Sequence, residues 1–356
     1  MRVVVCGAGA VGAAIAWALS RRGVAPVIVE RTGVACAASG KSGGFLALDW
    51  CDGTPLAALA RRSFALHAAW PAEAGADWGY RRLDTYGGFA GPRGGAPGAG
   101  GEPLGWLAGA VRGRHRLGSP ETTAQIDPAA FTAGLVAAAQ ARGALLRPGR
   151  VTGLLRRGER VTGVTLEDGT IEADAVVLAL GPWMREAARW LDLPAVYGLK
   201  GHSVVLEVAL PPEAAFLEYQ DGAGEAQAPE LFPRPDGTLW ACAISSESPL
   251  PDDPASVAPD PGAILRLRRI CAALSPALAA APVRAAQACF RPVTRDGLPL
   301  IGAVAGAPGA YVATGHSVWG MLNAPATGEA IAELLLDGAA RTVDLAPFDP
   351  ARLPPA

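Results

Sequence analysis

Two short glycine-bearing stretches carry the residue types that hold phosphates. The first, Gly7-Ala8-Gly9-Ala10-Val11-Gly12, has the GxGxxG spacing, and Glu30 follows 18 positions after Gly12. Such glycines let a chain turn sharply, bring bare backbone to a pyrophosphate and pack a helix closely on a sheet. An acid at that distance accepts hydrogen bonds from ribose hydroxyls and repels a 2′-phosphate. The second stretch, Gly40-Lys41-Ser42, ends like the phosphate loop of a nucleoside triphosphatase. That loop needs a glycine five positions before its Gly-Lys-Ser, and Ala35 stands there. It must also open a helix, and Ser42-Gly43-Gly44-Phe45-Leu46 is a poor helix start. The first stretch predicts a dinucleotide site. The second does not predict triphosphate chemistry.

The elements around the first stretch fit it. Arg2 to Cys6 is a short β-branched run, as expected of a buried parallel strand. Ala13 to Arg22 is Ala-rich and followed by Gly23, which predicts a helix and its end. Ala25 to Val29 reads as a second strand ending at Glu30. Strand, glycines, helix, strand and acid together are the context that a lone GxGxxG lacks. The uncharged run Val3–Ser20 could also be a leader or a membrane span, but Gly7, Gly9 and Gly12 weaken a hydrophobic helix there.

Composition excludes several other chemistries. The chain has 356 residues, enough for two interleaved domains, and a net charge of −2 without blocks of like charge. No basic patch suggests a nucleic-acid groove. The six cysteines form no CxxC pair, and His67, His115, His202 and His316 show no metal-ligand spacing, so no metal is expected. Scattered cysteines and the lack of a membrane span suggest a cytoplasmic protein. Only Lys41 and Lys200 are lysines.

Further along, Leu56–Trp70 reads as an amphipathic helix, and 87–103 as a mobile Gly-rich loop. Asp127 and Pro128 predict a helix start that Gly143 ends. Val151–Arg156, Arg160–Leu166 and Ala175–Leu180 read as strands, the first two of a hairpin with a turn at Glu167–Thr170. Residues 197–250 look antiparallel, and 262–281 reads as one helix. The final part returns to strand and helix. The expected fold class is therefore α/β: a Rossmann-type nucleotide domain with a parallel central sheet, interleaved with a mainly antiparallel α+β substrate domain. The expected boundaries are 1–45, 128–195 and 291–345 for the first and 46–127 and 196–290 for the second.

The opening fingerprint, Val176–Trp183 (VVLALGPW), Arg291–Gly302 (RPVTRDGLPLIG) and Ala313–Gly328 (ATGHSVWGMLNAPATG) together resemble FAD-dependent oxidoreductases of the D-amino-acid oxidase superfamily. Within it the chain is most similar to the glycine oxidase and sarcosine oxidase group, over Arg2 to about Asp337. The resemblance implies FAD as cofactor and oxidation of the C–N bond of an amino acid or related amine to an imine. It implies O2 or another electron acceptor, with H2O2 as the product from O2. It implies that Gly7, Gly9, Ala10, Val11, Gly12, Glu30 and Arg31 hold the ADP half. Ser39, Lys41, Ser42, Gly43 and Gly44 would wrap the pyrophosphate and flavin edge, with Lys41 adding positive charge near the flavin. Val151, Gly181 and Trp183 would approach FAD again, and Gly315, Gly320, Met321 and Leu322 would place backbone amides at the flavin. Arg291 would grip a substrate carboxylate, the alternative being a structural pair with Asp296. Glu230, His316 and Trp319 complete the expected pocket.

Three departures stand out. Glu230-Leu231-Phe232 precedes Pro233-Arg234 where glycine-oxidase-like members often carry an aromatic residue, and Ser317-Val318-Trp319 replaces a second arginine. A pocket carboxylate there suits a substrate with an extra cationic group; a solvated loop position is the other reading of Glu230. Cys289 stands two before Arg291, where monomeric sarcosine oxidases attach the flavin covalently; a small buried hydrophobe is the plainer reading. Two further functions remain open on sequence: a flavoprotein with a regulatory or trafficking role, and an NAD-dependent dehydrogenase. Oligomeric state is not indicated.

Overall fold

β1 (Val3–Cys6) is four apolar residues with every side chain buried, which only a strand covered on both faces can accommodate. The computed structural model describes residues 1–91, 103–107, 111–220 and 226–356. The chain turns at Gly7 straight into α1 (Ala10–Arg21), three residues earlier than sequence suggests, and continues into β2 (Val27–Glu30). Gly7 has φ +106°, and a Cβ there would lie 2.4 Å from the Ala179 carbonyl oxygen. A Cβ on Gly12 would lie 1.9 Å from the carbonyl oxygen of Gly7. Contact therefore requires both glycines, and conformation requires Gly7 as well.

A short helix, α2 (Ala38–Lys41), leads to β3 (Phe45–Ala47) and the long α3 (Ala57–Ala74). β4 (Arg81–Arg82), β5 (Asp84–Ala90), β6 (Val111–Gly118) and β7 (Thr123–Gln125) follow. Gly87 to Ala90, expected in a loop, belong to β5 and pair with β6 and a later strand. Of the expected loop, 92–102 lies outside the described residues. α4 (Pro128–Ala141) starts as its cap predicts: the Asp127 carboxylate accepts from the Ala130 amide at 2.8 Å.

β8 (Leu145–Pro148), β9 (Val151–Arg157), β10 (Arg160–Leu166), β11 (Gly169–Glu172) and β12 (Ala175–Leu178) come next, then a single turn, α5 (Met184–Ala187). The second half supplies β13 (Tyr197–Glu207), β14 (Glu213–Gln220), β15 (Ala226–Gln227), β16 (Glu230–Pro233) and β17 (Thr238–Ser246). The helix expected over 262–281 divides into α6 (Pro261–Leu274) and α7 (Pro276–Ala280), because Pro276 forces Ser275 into extended backbone. β18 (Val283–Val293), β19 (Leu300–Ala303), β20 (Ala310–Thr314) and α8 (Gly320–Asp337) complete the chain.

Two sheets organise these elements. The six-stranded sheet runs β19-β20-β12-β1-β2-β8, parallel except at the β19 edge. α1, α4 and α8 pack on one of its faces, and the small sheet β11-β10-β9 packs beside the other. The eight-stranded sheet runs β18-β13-β17-β16-β14-β5-β6 with β15 attached to β14. All its pairings are antiparallel except β14 with β5. α3 and the sheet β3-β7-β4 share a core with α1, α4 and α8, and β3 also meets the large sheet through Phe45.

Candidate active site

A cavity of about 440 Å³ runs from the glycine turn to the large sheet. Its first end is built from backbone. Gly9 caps α1 without a side-chain bond, and no acidic residue occupies the first turn. The Ala10 amide donates to the Ser39 hydroxyl at 2.8 Å, tying α2 to the turn. The amides of Val11 and Gly12 keep the positive end of the helix without an acceptor within it. The Glu30 carboxylate accepts from the Ala8 amide at 2.8 Å and from the Thr32 amide at 2.8 Å. Arg31 pairs with Glu186 at 2.8 Å and lies over the Trp183 ring, 5.5 Å from its centroid.

The middle is formed by α2 and the segment after it. Lys41 donates to the Ala288 carbonyl at 3.1 Å, and its own carbonyl accepts from Trp240 Nε1 at 3.0 Å. Ser42, Gly43 and Gly44 border the cavity, as do Val151, Gly181 and Trp183 on the opposite wall. Trp183 is anchored through its Nε1 to the Pro251 carbonyl at 2.7 Å. The Gly40-Lys41-Ser42 stretch thus holds one helical turn against the eight-stranded sheet and does not cradle a triphosphate.

The far end is made of side chains on β13, β16, β17 and β18. Arg291 crosses over Gly201 of β13, where a Cβ would lie 3.3 Å from the guanidinium carbon, and donates to the Ser245 hydroxyl at 3.1 Å. Its alternative partner Asp296 is held by Arg352 at 2.8 and 3.0 Å. Glu230 lies in β16, not in a solvated loop, and borders the cavity. Burial pushes its carboxyl above the usual range, against the pull of Arg291. Cys289 also borders the cavity; burial raises its thiol, while Arg291 and Lys41 draw it down.

Some expected contacts fall elsewhere. Gly12, Gly315 and Leu322 do not border the cavity. Gly12 packs α1 on the turn, and the Leu322 carbonyl faces His67 at 3.2 Å. His316 reaches the cavity edge, but its ring turns into α8 with Nε2 3.0 Å from the Thr327 hydroxyl, and burial lowers its pKa to about 4. Its Nδ1 is buried with no partner among the described residues. Met321 and Gly320 do border the cavity, and Trp319 stands edge-on to Trp50 at 6.5 Å.

Sequence reasoning missed the aromatic wall. Phe45, Phe216, Phe232 and Trp240 border the cavity in mutual contact, with Trp240 stacked on Phe232 at 5.3 Å and 7°. The signal was period-two alternation: Trp240 and Cys242 share a face of β17, and Glu230 and Phe232 share one of β16.

The FAD dependent oxidoreductase (DAO) family matches residues 2–334. The chain belongs to that family. It is 29% identical over 348 residues to a putative oxidoreductase of Schizosaccharomyces pombe, covering 91% of this chain and 89% of that one. It is 27% identical to a glycine oxidase of Geobacillus kaustophilus, covering 98% of this chain and 96% of the relative. The crystal structure of glycine oxidase from Geobacillus kaustophilus superposes with a TM-score of 0.84 at 26% identity, covering 99% of both chains. The protein is an FAD-dependent oxidoreductase, which removes the nicotinamide reading. The cavity fits that cofactor: an uncapped helix N-terminus and a glycine turn at one end suit a diphosphate, and a long apolar trough leads from it to titratable side chains. Among the described residues no helix is long and apolar enough to cross a membrane, and no group of His, Cys, Asp and Glu could hold a metal ion.

Proposed function

We propose that the chain oxidises the C–N bond of an amino acid or related amine to an imine, with dioxygen as acceptor and hydrogen peroxide as product. The observation that carries this is Arg291. Its guanidinium faces the cavity and, among the described residues, is bonded only to a hydroxyl and paired with no carboxylate. A guanidinium fork held by Ser245 over Gly201 is organised to receive a carboxylate. The names of the glycine oxidase relatives agree with a carboxylated amine.

FAD, when bound, would supply the redox chemistry, acceptance of a hydride from the carbon beside the nitrogen. The chain's own residues bind and orient. Ala10, Val11 and the glycine turn would hold the diphosphate, with Glu30 at the adenosine side. Lys41 would set positive charge beside the trough, and Gly320 and Met321 would offer first-turn amides of α8 at the same trough. Phe45, Phe216, Phe232 and Trp240 exclude water from the far end.

Anaerobic mixing of the purified holoenzyme with a panel of amino acids and N-methyl amino acids tests this. At least one should bleach the flavin band, and readmitted air should restore it with hydrogen peroxide formed. A band that no carboxylated amine bleaches would refute the reading. Acid precipitation of the same sample decides the cofactor linkage: yellow supernatant means noncovalent FAD, and a yellow pellet means attachment, with Cys289 as the proposed site.

A further inference from the structure

Glu230 and Arg291 face one cavity with opposite charge and do not pair. Among the described residues no cation lies within ion-pair distance of Glu230; its one polar contact is the Cys242 thiol at 3.5 Å. Arg291 is equally without a carboxylate, bonded to Ser245 on β17. The sheet explains the separation. The guanidinium reaches Ser245 of β17, whereas Glu230 on the neighbouring β16 pairs with Cys242, three residues earlier on β17, so one strand spacing and roughly 10 Å along β17 part the two groups.

The surroundings of Glu230 are aromatic. Phe216 is its register partner on β14, Phe232 is two residues along on the same face, and Trp240 stacks on Phe232. Phe45 closes against both phenylalanines at 4.9 and 5.3 Å. A carboxylate lined by π-faces is poorly solvated when empty, yet is the combination that binds an ammonium group: the counter-ion supplies charge and the rings supply cation–π contact.

We infer that Glu230, with Phe216, Phe232 and Trp240, is the receptor for a cationic nitrogen of the substrate, so that the substrate enters carrying both a carboxylate for Arg291 and an ammonium for Glu230. This deepens the proposed function and rests on its assignment of Arg291. It selects zwitterionic and basic amino acids and rejects dicarboxylic ones, whose second carboxylate would meet Glu230.

The test uses matched pairs of ligands with and without an amine: acetate and glycine, butanoate and 4-aminobutanoate, hexanoate and 6-aminohexanoate. Binding to holoenzyme is read from the shift of the flavin spectrum, which does not require turnover. In at least one pair the amine-bearing member should bind about tenfold more tightly, and the chain length of that pair measures the spacing of the two receptors. In Glu230→Gln that advantage should vanish while the plain carboxylates bind as before or more tightly. Glu230→Met provides the same readout if the glutamine variant fails to fold. An advantage that survives in both variants, or one absent from every pair in the wild type, overturns the inference. Loss of substrate bleaching with the pair discrimination intact would instead refute the oxidase reading and leave the receptor standing.

Discussion

The two ends of the cavity are built on different principles. At the nucleotide end, the turn Gly7–Gly12 works through what it lacks: no Cβ at Gly7 or Gly12, no side-chain cap on α1, no acid in the first turn. At the other end, Arg291, Glu230, Ser245 and the aromatic rings work through what they present, and they come from four strands of the large sheet and, for Phe45, from β3. Backbone constraint makes Gly7 and Gly12 intolerant of any side chain. Side-chain assembly leaves the second free to change charge without changing fold. That is the division a superfamily needs if one cofactor is to serve many amines.

The largest effect is expected at Gly12. A Cβ 1.9 Å from the Gly7 carbonyl oxygen cannot be relieved by rotating a side chain, so Gly12→Val should remove folding and FAD binding together. The yield of soluble yellow protein measures it. Arg291→Ala comes next. It should lower kcat/KM for a carboxylated amine about a hundredfold through the lost charge-assisted bonds. FAD content and melting temperature should stay close to wild type, since Arg291 holds no partner in the core.

A third expectation concerns pH. His67 and His316 are buried against α8, each with its pKa lowered by burial to about 4 from an ordinary 6.5. Their folded pKa is depressed, so the unfolded chain binds more protons between these values. Stability is complete above pH 6.5 and is lost as pH falls toward 4, by at most about 1.4 kcal/mol per pH unit per histidine. The melting temperature should therefore fall between pH 7.5 and 5, and a flat profile would mean that the rings are not buried neutral. The smallest effect sits away from the cavity. Asp127→Ala removes the α4 cap and should cost about 1 kcal/mol in chemical denaturation, with kcat unchanged.

Legibility in the sequence followed the same division. The β1–α1–β2 unit was readable because its constraints lie within thirty consecutive residues. The α4 start was readable because Asp127-Pro128 is a local signal. β18 was not read as a strand: its Ala, Arg and Gln residues and Pro292 hide an edge strand whose partner, β13, lies some ninety residues earlier. The Gly87–Ala90 segment looked like a loop because glycine has little strand propensity, yet a Cβ at Gly88 would strike Val111 at 2.4 Å, so close packing of β5 on β6 requires it. The orientation of His316 was not legible because a motif shows that a histidine is present and not which way its ring turns. The aromatic wall joins Phe45 to Phe216, Phe232 and Trp240, a conjunction made only by folding.

On the proposed function, Arg291 holds a carboxylated amine while the glycine-turn end of the cavity holds FAD independently of it. Anaerobic titration of wild type and Arg291→Ala with the amine that best bleaches the wild-type flavin tests this most directly. FAD content should be equal in the two proteins, with the variant needing about a hundredfold more substrate for the same bleaching rate. Equal bleaching by both proteins at the same substrate concentration would contradict it.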